Sequence, residues 1–544
     1  TKGQVTLLKN VTPSAHYTTG AIKSNGRHNQ SLRSIKWSTT SGVLLHDEYD
    51  IDKIDTDGTV THFVDYNSGT DDPVYAMCDD GTYAYWVTND TASGKIEVNK
   101  KLLTLDSTTA PTVMFTSPGI TVTNAVMEFT KERIVMAAND KVYEFAPSAS
   151  SLPTAIYTHP SNGYIFTSIT SSGPAIYISG YNGTQSSIFK FTLSSTGTMP
   201  TLSSAVVAAE MPVGEVIHKI FYYLGYMMIG TSKGVRAATV SDTDGSITYG
   251  PLILETSQPV FDFAARDHFI WATTGITVED QLEPGVVRFD ISTSIEPLVF
   301  AWANDLEYEG VYSHYTTSCA FADGTNRLVF CTAKSGSDNG GIYIEDASTL
   351  VSSGFITTGN IRYSTLEPKN FKRLLGRGDF TYGSLTLETV DADGNQYDHI
   401  TYDSTVHNVE VTTSVPSTAQ EYVAYKFVLT RDATDSTKGP IFKGYQAKAT
   451  IATPRQRILK FPVYCYDVET DRYDVVIGYQ GRAYERLAQL EAIEQNGDVI
   501  TWQDLTTGES RQAMVEQILF TRMTPPDKRF DGMGGIIEIT IRTV

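Results

Sequence analysis

Cysteine is scarce in this chain, four residues in 544, too few for a disulfide framework to replace a hydrophobic core. Cys319 and Cys331 flank the turn at Asp323-Gly324, so a bridge between them is geometrically conceivable; buried free thiols are favoured, because nothing in the sequence points to oxidative export. Positive charge is also in short supply: 42 Lys+Arg against 62 Asp+Glu leave a net charge of −20. A surface of that sign repels phosphate backbones and argues against nucleic-acid binding. Long apolar runs are missing too. The greasiest stretch, IFYYLGYMMIG from Ile220 to Gly230, is about half of a membrane span, and Thr1 to Val11 lacks the apolar core of a secretory signal. The expectation is a protein folded in a cytoplasm without membrane insertion.

Catalytic and metal signatures are equally thin. The ten histidines form no HExxH, the cysteines no CxxC, and there is no P-loop. His16, His28 and His46 read as surface or turn residues. The weak calcium candidate is Asp55 and Asp57 in a D-x-D-G turn, since calcium loops use closely spaced carboxylates with a glycine at the sharp bend. No distal glutamate completes a twelve-residue loop there, and an ordinary Asp-Gly turn is favoured. GTSKG at Gly230–Gly234 matches G-x-S-x-G, but a nucleophile elbow needs a strand before Ser232 and a helix after it. Both neighbours read as strands. The Arg377-Gly378-Asp379 triplet is short enough to arise by chance. Tyr85, Trp86, Trp271 and Trp302 could stack on sugar rings, yet inside strands such aromatics are usually core. No catalytic residue, cofactor or firm metal site is expected.

What the chain does hold is β-forming residues in a repeat. GVLLH from Gly42, YAYWV from Tyr83, RIVMA from Arg133, AIYIS from Ala175, YMMIG from Tyr226, HFIWA from His268 and RLVFC from Arg327 recur at spacings of 41, 50, 42, 51, 42 and 59 residues. A second strand follows each about ten residues later, as in KIEV from Lys95, KVYEF from Lys141 and SIFKF from Ser187. An earlier one often precedes it, as in NAVMEF before Arg133. Three to four strands per unit at a period near 45 is the arithmetic of a propeller blade. The repeated motif strands are expected innermost, buried on both faces, and the follow-on strands should alternate. Closure of the ring is expected to borrow residues 15 to 40 or 355 to 365.

The period stops near Phe355. LTLETVDADGNQYDHITY, EYVAYKFVLT and IFKGYQAKATI then suggest a small β-sandwich. RILKFPVYCYDV reads as a strand, and RAYERLAQLEAIEQNG as the one helix, with Tyr484, Leu487, Leu490 and Ile493 as its apolar stripe and Gly497 as its stop. Two more strands and a Pro/Gly-rich loop lead to a terminal strand. The expected fold is mainly β: an N-terminal arm over residues 1–30, a seven-bladed β-propeller over 31–358, a β-sandwich over 359–453 and a C-terminal α+β module over 454–544. Residues 454–544 carry 11 Lys+Arg against 14 Asp+Glu, so the acidity lies mainly in the first 453 residues.

Five features of this last third occur in a characteristic order: Leu366-Glu367-Pro368-Lys369; GPIFKGYQAKA from Gly439; Pro454-Arg455; the helix run into GDVITWQD; and the ending PPDKRFDGMGGIIEITIRTV. Together they resemble the C-terminal part of minor tail proteins of long-tailed bacteriophages, particularly those infecting actinobacteria. The resemblance spans Ile361 to Val544 and does not include the repeats. It implies a non-enzymatic virion protein at or near the tail tip that partners other tail-tip proteins. It also implies a homo-oligomer, with three-fold symmetry, in which the propeller is turned outward toward a host-surface glycan or protein. The alternative is a tail-associated glycan depolymerase, whose paired carboxylates would lie on the propeller face.

Overall fold

The computed structural model describes residues 9–13, 31–37, 40–47, 49–56, 59–66, 73–173, 175–202, 206–241, 243–278, 281–307, 315–322, 325–334, 337–410, 418–452, 456–473, 475–479, 482–524 and 532–543. They are mainly β, in many small antiparallel sheets. The chain divides into two compact units, a larger one of Thr6–Gly354 with Thr430–Pro440 and a smaller one built on Phe355–Leu429 and Ile441–Val544.

The larger unit holds seven four-stranded sheets in chain order. Sheet 1 is Ser31–Trp37, Thr40–Asp47, Asp50–Asp55 and Val60–Asp65; sheet 2 is Ala76–Asp79, Tyr83–Asn89, Ile96–Leu102 and Thr112–Thr116. Sheet 3 is Ala125–Thr130, Arg133–Ala138, Lys141–Phe145 and Tyr157–Thr158, and sheet 4 is Ile165–Ser172, Ala175–Asn182, Gln185–Thr192 and Val207–Glu210. Sheet 5 is Ile217–Tyr223, Tyr226–Thr231, Gly234–Val240 and Ile247–Glu255. Sheet 6 is Phe263–Arg266, Phe269–Thr273, Gly285–Glu296 and Val299–Glu307, interrupted by a small hairpin of Ile276–Val278 and Gln281–Glu283. That insertion and the two long strands after it account for the 59-residue spacing. Sheet 7 is Tyr315–Phe321, Leu328–Lys334 and Ser337–Leu350, completed by Lys9–Pro13 from the start of the chain, with Pro13 opposite Tyr343 and Lys9 opposite Leu350.

Each first strand lies against the first strand of the next sheet, and that of sheet 7 lies against that of sheet 1, which closes a ring. The burial follows the same cycle. Seven hydrophobic clusters fill seven seams, such as Tyr85 and Val87 of sheet 2 with Met127 and Met136 of sheet 3. The series runs round to Leu45 and Ile54 of sheet 1 with Val329 and Ile342 of sheet 7. A strand caught between two seams is apolar on both faces, which is why the repeated motifs are nearly continuous in apolar character.

Three expectations need correction. The repeated motif strands are second in each sheet, not innermost; the first strands are the weaker segments before them, as Ala125–Thr130 precedes Arg133–Ala138. The third strands do not alternate against water. Asp50–Asp55 is buried at four successive positions, because both its faces lie in seams, Ile51 in that with sheet 2 and Ile54 in that with sheet 7. Part of the expected arm, Lys9–Pro13, is a strand of sheet 7; closure uses it together with Ser31–Trp37, which lies within 15–40, and does not use 355–365.

Directional contacts fix the seams. Where the second strand passes to the third, a small polar side chain takes up the chain entering a neighbouring first strand. The Asn89 amide oxygen accepts the Val122 N–H at 2.8 Å while its NH2 donates to the Val122 carbonyl. Ser186 Oγ of sheet 4 accepts from Ile217 N of sheet 5, and within single sheets Ser232 Oγ accepts from Val216 N and Thr273 Oγ1 from both Phe261 N and Asp262 N. Asp262 then links three sheets, holding Lys219 Nζ of sheet 5 at 2.8 Å and accepting the Cys319 N–H of sheet 7.

In the smaller unit, Ser353–Thr357, Ala424–Thr430, Ser384–Val390 and Gln396–Tyr402 form one sheet in that order, and Lys369–Asp379 pairs with Ile441–Ile451. The Asp391 turn is a hairpin as read from the sequence: its carboxylate accepts the N–H groups of Asp393 and Asn395 and the Tyr397 hydroxyl. The C-terminal sheet runs Ile458–Tyr466, Gly534–Thr543, Ser510–Arg522, Val499–Gln503. Helix α1, Ala483–Asn496, packs on it and ends at Gly497, whose φ of 67° is the left-handed conformation that favours glycine. The buried stripe is Ala483 and Leu487, with Leu490 and Ile493 partly covered. Tyr484, expected in that stripe, is exposed, because burial of Ala483 turns its neighbour outward.

Candidate docking surface

The C-terminal sheet buries one face only. In its register Leu459 faces Ile541, Phe461 faces Ile539, Ala513 faces Thr543 and Phe520 faces Ile537. This set, with Cys465 and Val515, makes the core under α1. Strand alternation sends the intervening side chains to the opposite face. There Ile458 and Tyr464 are 54% and 73% exposed, and Leu519 and Val499 48% and 56%. A solvated face normally alternates to polar residues; here apolar side chains stand on three of the four strands. The charges on this face are balanced, with the Arg542 guanidinium paired to Glu516. Pro462 sits mid-strand on the edge Ile458–Tyr466, and a proline cannot donate to a ladder. That edge resists strand addition, and the face is the better surface for a partner.

The other end of α1 is held by Asp467, whose carboxylate accepts the Ala483 N–H at 2.7 Å and the Met533 N–H at 2.9 Å. Lys369 of the Leu-Glu-Pro-Lys motif is 1% exposed and donates to the carbonyls of Thr365, Glu367 and Glu421. Both residues serve packing. Pro525 to Phe530 of the terminal motif lie outside the described residues.

The remaining sequence candidates are scattered. Asp55 accepts the Thr59 N–H within its own turn, and Asp57 lies outside the described residues. Among the described residues no group of three His, Cys, Asp or Glu is placed to hold a metal ion. Ser232 lies in the turn between two paired strands of sheet 5, and Arg377-Gly378-Asp379 is part of a strand opposite Gly444, Phe442 and Ile441. Cys319 and Cys331 occupy different seams, one between sheets 6 and 7 and one between sheets 7 and 1, and no disulfide joins them. Burial pushes the Cys319 thiol well above its ordinary range. His46 is buried and hydrogen-bonded to the Val74 carbonyl at 2.7 Å; His16 and His28 lie outside the described residues. Tyr85, Trp86 and Trp271 are core, whereas Trp302 is exposed. No helix among the described residues is long and apolar enough to cross a membrane.

Sequence reasoning missed the uncovered face. Its signal was present in RILKFPVYCYDV, which is apolar at both parities although a strand with one solvated side needs only one.

No family model matches the chain, and no curated protein is similar to it. Solved structures share partial likeness. A nidogen/laminin complex chain is 11% identical over 46% of this chain and 90% of its own length, with a TM-score of 0.33. The extracellular domain of a hybrid two-component system from B. thetaiotaomicron is 13% identical over 72% of this chain and 44% of its own, at 0.39. Kuenenia stuttgartiensis hydrazine synthase is 10% identical over 61% and 96%, also at 0.39.

Proposed function

We propose that this chain is a non-enzymatic structural protein of a bacteriophage virion, at or near the tail tip. In this reading residues 31–358, closed by Lys9–Pro13, are a seven-bladed β-propeller displayed for recognition of the host surface, and residues 359–544 attach it to other tail proteins. The propeller is supported by seven sheets, seven filled seams and first strands that meet in a ring. The attachment rests on one observation. Of the 27 large apolar side chains exposed among the described residues, 20 belong to the smaller unit. Five of them, Ile458, Tyr464, Val499, Met514 and Leu519, share the uncovered face of the C-terminal sheet, and apolar side chains gathered on one face mark a surface that a partner covers. The acidic remainder, residues 1–358 with 21 Lys+Arg against 37 Asp+Glu and a net of −16, suits a part that stays in water. The order of motifs from Ile361 to Val544 is what supports a phage tail as the partner.

The test is incorporation into particles. Tyr464→Glu with Leu519→Glu places two charges on the uncovered face and leaves the core beneath α1 untouched. The doubly substituted chain is expected to fold with unchanged thermal stability and to be lost from purified particles. Incorporation at normal copy number would overturn the attachment.

A further inference from the structure

The smaller unit carries a strand whose edge nothing closes. Lys369–Asp379 and Ile441–Ile451 form a two-stranded ribbon. On the outer side of Lys369–Asp379 the Lys369 N–H and carbonyl exchange hydrogen bonds with Gln420, and the Gly376 N–H reaches the Tyr402 hydroxyl at 3.4 Å. The outer side of Ile441–Ile451 has no such partner: among the described residues none of its main-chain groups bonds outside the ribbon. From Lys443 to Ile451 no residue is buried. An antiparallel strand of 11 residues, with alternate N–H and carbonyl groups turned outward, is a template for a further strand. Unlike the edge Ile458–Tyr466, this one has no proline.

The ribbon is also basic in an acidic chain. It holds six Lys+Arg against one carboxylate, Asp379, which accepts the Thr381 N–H and hydroxyl in its own turn. Lys369 is buried. Lys372, Arg373, Arg377, Lys443 and Lys448 are exposed, and among the described residues none of the five makes an ion pair or a side-chain hydrogen bond. The register sets Arg373 opposite Lys448 and Arg377 opposite Gly444 on the outer face, while Gly376 is turned the other way, against Tyr402 and Leu387. Like charges directly opposite are destabilising, a cost that the fold alone does not require. Lysines on an open edge deter pairing between copies, which accounts for Lys443 and Lys448 but not for Arg373 and Arg377 on the closed strand. Gly444 has open space where a side chain would stand, so Arg377 can reach across it toward a strand laid on the edge.

We propose that Ile441–Ile451 accepts an acidic, extended segment of a partner protein as a third strand. Main-chain hydrogen bonds run along the edge, and carboxylates of the segment meet Lys448, Arg373 and Arg377. Acidic side chains four residues apart on one face of such a segment span about 13 Å, the separation of Gly444 and Lys448 along the edge. A nucleic acid would run beyond the five cations of the ribbon and meet a chain of net charge −20, which a short acidic segment does not. The inference rests on the reading of the smaller unit as the attaching part, but the strand lies outside the C-terminal sheet. Peptide binding by the purified chain can fail while incorporation through the uncovered face stands, and Tyr464→Glu with Leu519→Glu should leave peptide binding unchanged.

The full-length chain is titrated, by fluorescence anisotropy, with a labelled peptide as long as the edge in which Glu alternates with Val and Thr. Saturable binding that weakens with added salt is expected. The same peptide with Lys in place of Glu should bind at least roughly tenfold more weakly. N-methylation of alternate peptide nitrogens separates strand addition from charge alone. In one of the two registers it should abolish binding, because a strand laid on an edge turns every second N–H toward it. Lys448→Glu removes a cation and sets a carboxylate opposite Arg373, so thermal stability should hold or rise while affinity falls at least about tenfold. Arg377→Gln should weaken binding about fivefold and carries the test should Lys448→Glu misfold, with the far-UV spectrum as the check on folding. The proposal is overturned if the acidic peptide fails to saturate, if the lysine peptide binds as well, or if both N-methylated peptides bind as tightly as the parent. It is overturned equally if a DNA duplex of the same charge binds more tightly, or if either folded variant leaves binding unchanged.

Discussion

Lys53 offers a quantitative test of the seam between sheets 1 and 2. It lies on the third strand of sheet 1, 2% exposed, donating to the Leu105 carbonyl and standing 4.8 Å from the Phe63 ring centre. Lys101 of sheet 2 is equally buried, donates to the Phe63 carbonyl and stands 4.8 Å from the same ring. Burial first, and the Lys101 charge second, lower the Lys53 ammonium from an ordinary value of 10.5 to about 8, with Asp106 acting weakly against them. Below pH 8 both folded and unfolded chains are protonated there, and the folded state bears the full cost of a buried charge. Between about 8 and 10.5 the unfolded chain holds the extra proton, so stability rises with pH across that window. Taken whole, the shift corresponds to about 3 kcal/mol. The ammonium keeps a carbonyl acceptor, and about 1.5 kcal/mol is the working expectation. Other groups oppose this trend: burial raises the Cys319 thiol, and it raises the Tyr143 and Tyr177 hydroxyls to about 12, so their stabilisation is lost as pH climbs past the ordinary thiol and phenol ranges. The decisive quantity is therefore the difference between the native chain and Lys53→Met. That substitution also strips the Leu105 carbonyl of its donor, at a pH-independent cost of about 1 kcal/mol. It also relieves Lys101, whose own value burial lowers. Urea midpoints followed by tryptophan emission at pH 7, 8.5 and 9.5 should show the native chain gaining on the variant as pH rises. Parallel curves would refute the reasoning.

Two further substitutions probe charges of opposite setting. Glu215 is 1% exposed and grips Arg236 with both oxygens, at 2.8 and 2.9 Å. Glu215→Ala strands the guanidinium and should cost about 3–5 kcal/mol by thermal unfolding, part of it recovered by adding Arg236→Met. The Asp244 carboxylate accepts the Ser246 N–H and hydroxyl, and hydrogen bonds to Ser241 and Ser246 hold it down at about 2. A lowered carboxylate stabilises the fold above its ordinary value of 3.8 and loses that contribution as pH falls toward 2. The stability gap between the native chain and Asp244→Asn should therefore be present at pH 5 and vanish near pH 2 in an acid titration of the circular dichroism.

The period was readable because the second strands are the ones packed on both faces. Burial on both sides selects apolar residues without interruption, and RIVMA or AIYIS stand out in any scan. The fourth strands leave no such trace. Tyr157–Thr158 has two residues and Val207–Glu210 none that is fully buried, since they form the outer edge. Lys9–Pro13 carries no pattern at all. Its place is set by pairing with Ser337–Leu350 at the far end of the larger unit, and no local window contains that partner. The turns held an unread signal. Asp106, Asp244, Asp290, Asp379, Asp403, Asp432, Asp435 and Asp504 each precede a Ser or Thr by two positions and accept its N–H or hydroxyl. Part of the negative charge is thus spent on local turn geometry rather than left for a partner. In the C-terminal sheet Ile458–Tyr466 is apolar at both parities, so alternation did not locate the core, and which parity was buried depended on where α1 lay.

The seams and the polar contacts between sheets answer different physical needs. An apolar seam is non-directional, so burying Tyr85 against Met127 favours adjacency of sheets 2 and 3 without choosing one alignment over a slip of a residue. The pairings of Asn89 with Val122 and Ser186 with Ile217 are directional, and a slip would break each of them. Both lie where the chain enters the first strand of the next sheet, at sheets 3 and 5. At about 1 kcal/mol apiece they add little to total stability beside the seams. Their effect is to fix the loops there in place, so that a ligand or partner meeting them finds its contacts already arranged and loses less ordering entropy on binding.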